Sequence, residues 1–225
     1  MDSQSYKTLK IVIADDHGVT RKGMSIFCQE AFKDCHIFEC ESIESLFRLL
    51  KQEKEIDLLI LDIYFGEHSS LQQIGLLKNI YDGLKILVIS MCDDEIYGVR
   101  ALREGVQGYV SKMSSDEEIR DAIQSVVSGM YYLSPKLRKI SAGLFRNRSQ
   151  FSIENPFLSL SSQEFHVCLY LLKGHDVYEI AEMMNLSTST ISTYKCRVLA
   201  KLEVRRMNEL IKLAVEYNIE HKTIK

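Results

Sequence analysis

Five short apolar runs, each followed by a stretch of helical period, constrain the first half of this chain more than any other feature. The runs span residues 10–14, 36–40, 58–62, 85–90 and 108–110, and the amphipathic stretches 19–32, 43–52, 71–80, 95–105 and 116–128. Strands apolar at nearly every position belong in a parallel sheet covered on both faces. Ligands of such sheets bind beyond the carboxyl ends of the strands. The residues at those ends are reactive ones. Asp15 and Asp16 close "IVIADD", Asp62 closes "LLILD", Ser90 closes "ILVIS" and Lys112 closes "GYVSK". Three carboxylates on one rim would repel one another unless a cation lay between them. Magnesium is the expected one, because it takes few carboxylates and completes its shell with water and phosphate oxygens. Asp62 is then placed to act as a nucleophile and carry a phosphoryl group as an acyl phosphate. Lys112 would neutralise the phosphoryl oxygens and Ser90 would donate a hydrogen bond to one.

The 225 residues suffice for two domains, each with its own core. The net charge of −3 conceals an asymmetry: residues 1–130 hold 14 Lys and Arg against 22 Asp and Glu, and residues 131–225 hold 14 against 9. An acidic half suits a cation site, and a basic half suits a polyanion. No apolar stretch approaches the roughly 20 residues needed to cross a bilayer. The opening "MDSQSYKTLK" lacks the apolar core of a signal peptide. The six cysteines form no CxxC pair, which fits reduced thiols in a cytoplasmic protein with no membrane partner.

After Gly129 the pattern changes. Residues 131–157 hold both prolines and read as a linker with one short helix, between 135 and 145. The remainder is helical throughout. Ser161 with Glu164 and Asp176 with Glu179 form capping boxes, Gly174 ends the first helix, and Ser187 caps a third helix running to about 202. A fourth spans about 206–217. On the third helix Ile191, Val198 and Leu202 share one side. Ser189, Ser192, Thr193, Cys196, Arg197 and Ala200 fall opposite, flanked by Lys195 and Lys201. A small polar face bordered by cations suits a major groove. The short turn "NLSTS" joins this helix to the one before, as a helix-turn-helix requires.

The acidic set, with "GYVSK", resembles the receiver domain of two-component response regulators over about residues 9–130. The tail, through "LSSQE", "EIAEMMNLSTSTIS", "KLEV" and "NELIKLAVEYNI", resembles the four-helix DNA-binding domain of LuxR/NarL-type regulators over about 158–219. The resemblance implies a doubly wound, flavodoxin-like five-stranded parallel sheet followed by an all-α helix-turn-helix domain. Its domains would be a receiver over 1–130, a linker over 131–157 and a DNA reader over 158–225. It implies Asp62 as phospho-acceptor, with Ser90, Lys112 and the inward-turning aromatic Tyr109 as the switch. Magnesium would be held by Asp15, Asp16, Asp62 and the main-chain carbonyl of Tyr64. A sensor histidine kinase or phosphorelay protein would donate the phosphoryl group. Ser192, Thr193 and Cys196 would face base edges with Lys195 adjacent, and Ser189, Tyr194, Arg197 and Lys201 would lie nearer the phosphates. The active form would be a homodimer through the last helix, with Leu210, Leu213 and Tyr217 as its contacts.

The family places proline where this chain has Gly66, and the loop around it is atypical. A haloacid-dehalogenase-type phosphatase also uses an Asp after a buried strand, but needs a second Asp where this chain has Tyr64. The chain is therefore expected to be no enzyme beyond its own phosphoryl transfer and slow self-dephosphorylation, since neither Tyr64 nor Cys92 is a good positioner of water. Two alternatives stay open at this point: a regulator that works without phosphate under partner control, and a module acting through protein contacts alone. The basic tail argues against the latter.

Overall fold

The computed structural model describes residues 8–65, 68–92, 94–146 and 155–219. The chain divides into two compact units, Met1–Ser141 and Ala142–Lys225. No described helix is long and apolar enough to cross a membrane.

The strands of the first unit are β1 (Leu9–Ala14), β2 (Cys35–Cys40), β3 (Leu58–Leu61), β4 (Tyr64–Phe65), β5 (His68–Ser69), β6 (Ile86–Ser90), β7 (Gly108–Ser111) and β8 (Tyr132–Leu133). Six of them form one parallel sheet in the order β2-β1-β3-β6-β7-β8. The five expected strands are all present, and β8 extends the sheet by one. The other two, β4 and β5, pair as a small antiparallel hairpin directly after Asp62.

The helices of this unit are α1 (Gly18–Ala31), α2 (Ile43–Gln52), α3 (Leu71–Ile80), α4 (Val99–Arg103), α5 (Asp116–Val127) and the start of α6 (Pro135–Arg146). Alternation sorts the strand residues onto two faces. Ile11, Ile13, Leu58, Ile60, Leu87, Ile89 and Val110 pack with Met24 and Cys28 of α1 and with Ile119, Ala122, Ile123 and Val126 of α5. Their neighbours Val12, Leu59, Leu61, Ile86 and Val88 are just as buried on the opposite face. Burial on both faces is what makes the strands read as unbroken apolar runs. Capping boxes start α2 at Ser42 and α5 at Ser115.

One element differs from expectation. The stretch 95–105 is a π-helical turn, Asp94–Gly98, followed by the short α4. The break between units falls inside α6, within the linker expected over 131–157. The reason is packing: Tyr132 and Leu133 pair with Gly108 and Tyr109, and Leu137 of α6 is fully buried. Gly98 permits that burial, since a Cβ there would lie 2.8 Å from Leu137 Cδ1.

The second unit begins with a 3-10 turn, Pro156–Ser159, followed by α7 (Ser162–Leu172), α8 (Val177–Met184), α9 (Thr188–Lys201) and α10 (Met207–Glu216). Every residue of α7 from Glu164 to Leu172 is buried, so this helix is the centre of the unit. Val167, Tyr170 and Leu171 meet Ile180 and Ala181 of α8 and Ile191 of α9. Asn185, at φ +52°, ends α8 in the left-handed region that asparagine tolerates. Ser187 then caps α9 by accepting the Thr190 N–H.

Gly108 shows how tightly the first core is closed. A Cβ there would stand 2.8 Å from Leu87 Cδ1 and 3.1 Å from Val126 Cγ2. Gly108→Ala is expected to cost about 1–3 kcal/mol through overpacking. A thermal unfolding midpoint equal to wild type would contradict this packing.

Candidate functional site

The parallel register brings the reactive residues to one rim. The Asp62 N–H donates to the Ala14 carbonyl (3.0 Å), so the end of β3 lies level with the end of β1. The Lys112 N–H donates to the Ser90 carbonyl (2.9 Å), which aligns β6 and β7 in the same way. Lys112 then reaches back across β6. Its Nζ lies 2.6 Å from Asp15 Oδ2 and 2.8 Å from Asp62 Oδ2. Asp15 and Asp62 are 3 % and 6 % exposed, whereas Asp16 stands at the open side.

Burial sets the electrostatics. It pushes the Asp62 carboxyl above its usual range, against the hydrogen bond and charge of Lys112, while the nearby Asp15 charge pushes the same way as burial. Burial also works against the Lys112 ammonium, but the hydrogen bonds and charges of Asp15 and Asp62 outweigh it and hold its pKa above the ordinary lysine value. One cation thus serves two buried carboxylates.

Asp15, Asp16, His17 and Asp62 each offer one ligand atom, all within 4.8 Å of one another. Three carboxylate oxygens on one rim fit a hard divalent cation that retains water ligands. Sequence reasoning passed over His17, although it adjoins the acidic pair. Its Nδ1 is 2.7 Å from Asp16 Oδ1, and its N–H donates to Asp15 Oδ1 at 2.8 Å.

The residues expected to form the switch lie beside the carboxylates. Ser90 is 1 % exposed, and its Oγ accepts the Cys92 N–H (3.3 Å). Tyr109 is fully buried and its hydroxyl donates to the Cys92 carbonyl (2.8 Å). The Tyr64 N–H faces Asp62 Oδ1 at 3.4 Å. Ser70 closes the hairpin from the other side, where its hydroxyl donates to the Asp62 carbonyl and its N–H to the Ile63 carbonyl. No local pattern singled out Ser70. Gly66 lies outside the described residues.

In the second unit Ser189, Ser192, Thr193, Cys196 and Arg197 are exposed along α9, with Lys195 half-buried beside them. The Thr193 hydroxyl donates back to the Ser189 carbonyl (2.9 Å), and the Ser189 hydroxyl is 2.8 Å from that of Ser187. Two residues expected near phosphates have other engagements. Lys201 Nζ is 2.6 Å from Glu164 Oε2 and also donates to the Ser159 carbonyl, so its long stem turns toward the start of α7. Tyr194 packs against the core of α7, α8 and α9.

Of the expected dimer contacts, two pack within their own unit. Leu210 is fully buried within the unit, and the Tyr217 ring meets Phe157 edge-on at 6.2 Å. Leu213 is half-buried. The exposed apolar side chains of α10 are Ile211 and Val215, one helical turn apart.

Residues 11–124 match the response regulator receiver domain, and residues 158–214 match the bacterial regulatory proteins of the luxR family. The oxygen regulatory protein NreC of Staphylococcus epidermidis is 31 % identical over 92 % of this chain and 97 % of its own length. The NreC of Staphylococcus carnosus is 29 % identical over the same shares. Among solved structures, RcsB from Salmonella enterica serovar Typhimurium bound to promoter P1flhDC with phosphomimetic BeF3− aligns at a TM-score of 0.74. It is 24 % identical, with 93 % of this chain and all of that chain covered. A further RcsB structure from Salmonella typhimurium aligns at 0.75, also at 24 % identity, over 94 % of this chain and 98 % of that one.

The Glu164–Lys201 pair carries a pH signature. Burial opposes the Glu164 carboxylate, but the Lys201 hydrogen bond, the Ser161 hydrogen bonds and the Lys201 charge outweigh it and hold its pKa below the ordinary value. Its contribution to stability is therefore present above the unfolded-state pKa and is lost as pH falls through the folded one. Lys201→Met should lower the stability of this unit by about 1.5–3 kcal/mol at neutral pH, the range for a hydrogen bond to a charged group. The deficit should shrink as pH falls through the lowered folded-state pKa of Glu164, where the carboxylate that Lys201 pairs with is lost. Denaturant unfolding across this pH series measures it, and a constant deficit would rule out the ion pair as the cause.

Proposed function

The chain belongs to the DNA-binding two-component response regulators built from a receiver domain and a luxR-family helix-turn-helix domain, and on that premise we propose that Asp62 accepts a phosphoryl group which controls DNA engagement by the second unit. The observation that carries this reading is Lys112 paired with both Asp15 and Asp62. An Asp62 oxygen attacks the phosphorus of a phosphohistidine on a sensor kinase or phosphorelay protein. The bond to the donor nitrogen breaks as the acyl phosphate forms. Lys112 keeps Asp15 and turns its other contact to a phosphoryl oxygen, and the Ser90 hydroxyl donates to a second.

Asp15, Asp16, Asp62 and the main-chain carbonyl of Tyr64 would hold magnesium, which when bound supplies positive charge to the phosphoryl oxygens. The modification adds roughly −1.5 to −2 charges and biases a two-state receiver. In the second unit α9 enters the major groove with Ser192, Thr193, Lys195 and Cys196 toward the bases, while Arg197 and the α9 start meet phosphates. RcsB, of the same fold, is bound to promoter DNA in the presence of a phosphomimetic, as this reading would have it for the present chain. Activation pairs two copies through α10, with Ile211, Val215 and Leu213 as the apolar contacts. The protein works in the cytoplasm and turns over no external substrate.

A regulator indifferent to phosphate is the second reading, favoured by the unusual hairpin after Asp62. One experiment separates the two. Acetyl phosphate with magnesium should shift the wild-type protein on a phosphate-affinity gel and leave Asp62→Ala unshifted. Affinity for duplex DNA should rise with the shift by at least about tenfold, the equivalent of 1.4 kcal/mol of coupling. A shift without any change in DNA affinity would favour partner control instead.

A further inference from the structure

The hairpin that follows Asp62 has only two residues in each strand, Tyr64–Phe65 against His68–Ser69. An isolated pair of strands this short does not hold its own shape. Ser70 fastens its foot, through the Asp62 and Ile63 carbonyls. Its other anchor is aromatic. The Tyr64 and Tyr97 hydroxyls are 2.9 Å apart, and their rings meet edge-on with centroids separated by 6.1 Å. Tyr97 is fully buried and Tyr64 is 7 % exposed. A hydrogen bond between two buried phenols satisfies both hydroxyls and couples the positions of the two rings.

We propose that Tyr97 is a positioning residue of the acceptor site, its hydroxyl bond to Tyr64 holding the hairpin in the geometry that receives a phosphoryl group. Tyr64 connects the two. Its side chain is fixed by Tyr97 while its N–H faces Asp62 Oδ1 at 3.4 Å. Tyr97 also lies on the π-helical turn that follows Cys92. The Cys92 N–H donates to Ser90 Oγ, and its carbonyl accepts from Tyr109. The Ser90 side chain also hydrogen-bonds Asp62, so Asp62 is tied to the chain after β6 both through Ser90 and Cys92 and through Tyr64 and Tyr97.

The inference rests on Asp62 being the acceptor, and the test keeps the two claims apart. Beryllofluoride with magnesium serves as the phosphoryl probe, titrated calorimetrically into the full chain well below its unfolding midpoint. Tyr64→Phe and Tyr97→Phe keep both rings and remove one hydroxyl each. Each should weaken binding on the order of fivefold, the worth of one net hydrogen bond. The double variant should bind no more weakly than either single one, since all three lack the same bond. Loss by the double variant near the product of the single losses, on the order of 25-fold, would overturn the shared bond. Wild-type affinity in the single variants would overturn the positioning role alone. If the wild-type chain binds beryllofluoride no better than Asp62→Asn does, the acceptor reading itself falls, and this role with it.

Discussion

A single ammonium between two buried carboxylates is the constraint around which the first unit is arranged. The register of β1 against β3 brings Asp15 and Asp62 side by side out of water, where like charges repel. Two unit charges 4 Å apart interact by about 4 kcal/mol at an effective dielectric of 20. Lys112 offsets that repulsion from two strands away, by crossing the end of β6 to reach both oxygens. Its reach requires β3, β6 and β7 to be neighbours in that order, with their ends level. The rim is therefore a balance of charges, and any cation or phosphoryl group entering it acts on all three side chains at once.

Much of this was legible in the sequence, for a physical reason. Strands buried on both faces are apolar throughout, so the polar residues ending them stand out against the run. That contrast identified Asp15, Asp62, Ser90 and Lys112. It could not identify β4, β5 or β8, because two residues cannot express a period. Nor could it find the Tyr64–Tyr97 bond, whose partners are 33 positions apart in the chain. The expected helix over 95–105 has the right location, yet its first turn is π-helical and packs Gly98 under Leu137. The break between the units falls within the stretch expected as a linker, inside α6. Composition marks a linker by its prolines and polarity, whereas the structure divides the chain where packing ends.

The second unit shows a complementary limit. Caps at Ser161, Asp176 and Ser187 were readable because they are local chemistry, with acceptor and donor two or three residues apart. A helical wheel likewise separated the buried side of α9 from its small polar side. It does not tell how far a long side chain bends. Lys201 lies at the edge of the polar side, yet its four-carbon stem carries the charge to Glu164 at the start of α7. On α10 both sides bear apolar residues, so the wheel alone could not decide which faces inward. The packing commits Leu210 and Ala214 to the core and leaves Ile211 and Val215 outside.

The placement of β8 has a consequence for how the first unit behaves in a crowded solution. An open parallel sheet ends in a strand whose outer amides and carbonyls invite a stranger's backbone. Here the departing chain lies along β7 before it turns into α6, and only Tyr132 and Leu133 form the new border. A border of two residues is too short to template a foreign strand. The polypeptide that leaves the sheet thereby shields its β7 side, at Gly108 and Tyr109, from a foreign strand, while β2 forms the opposite edge.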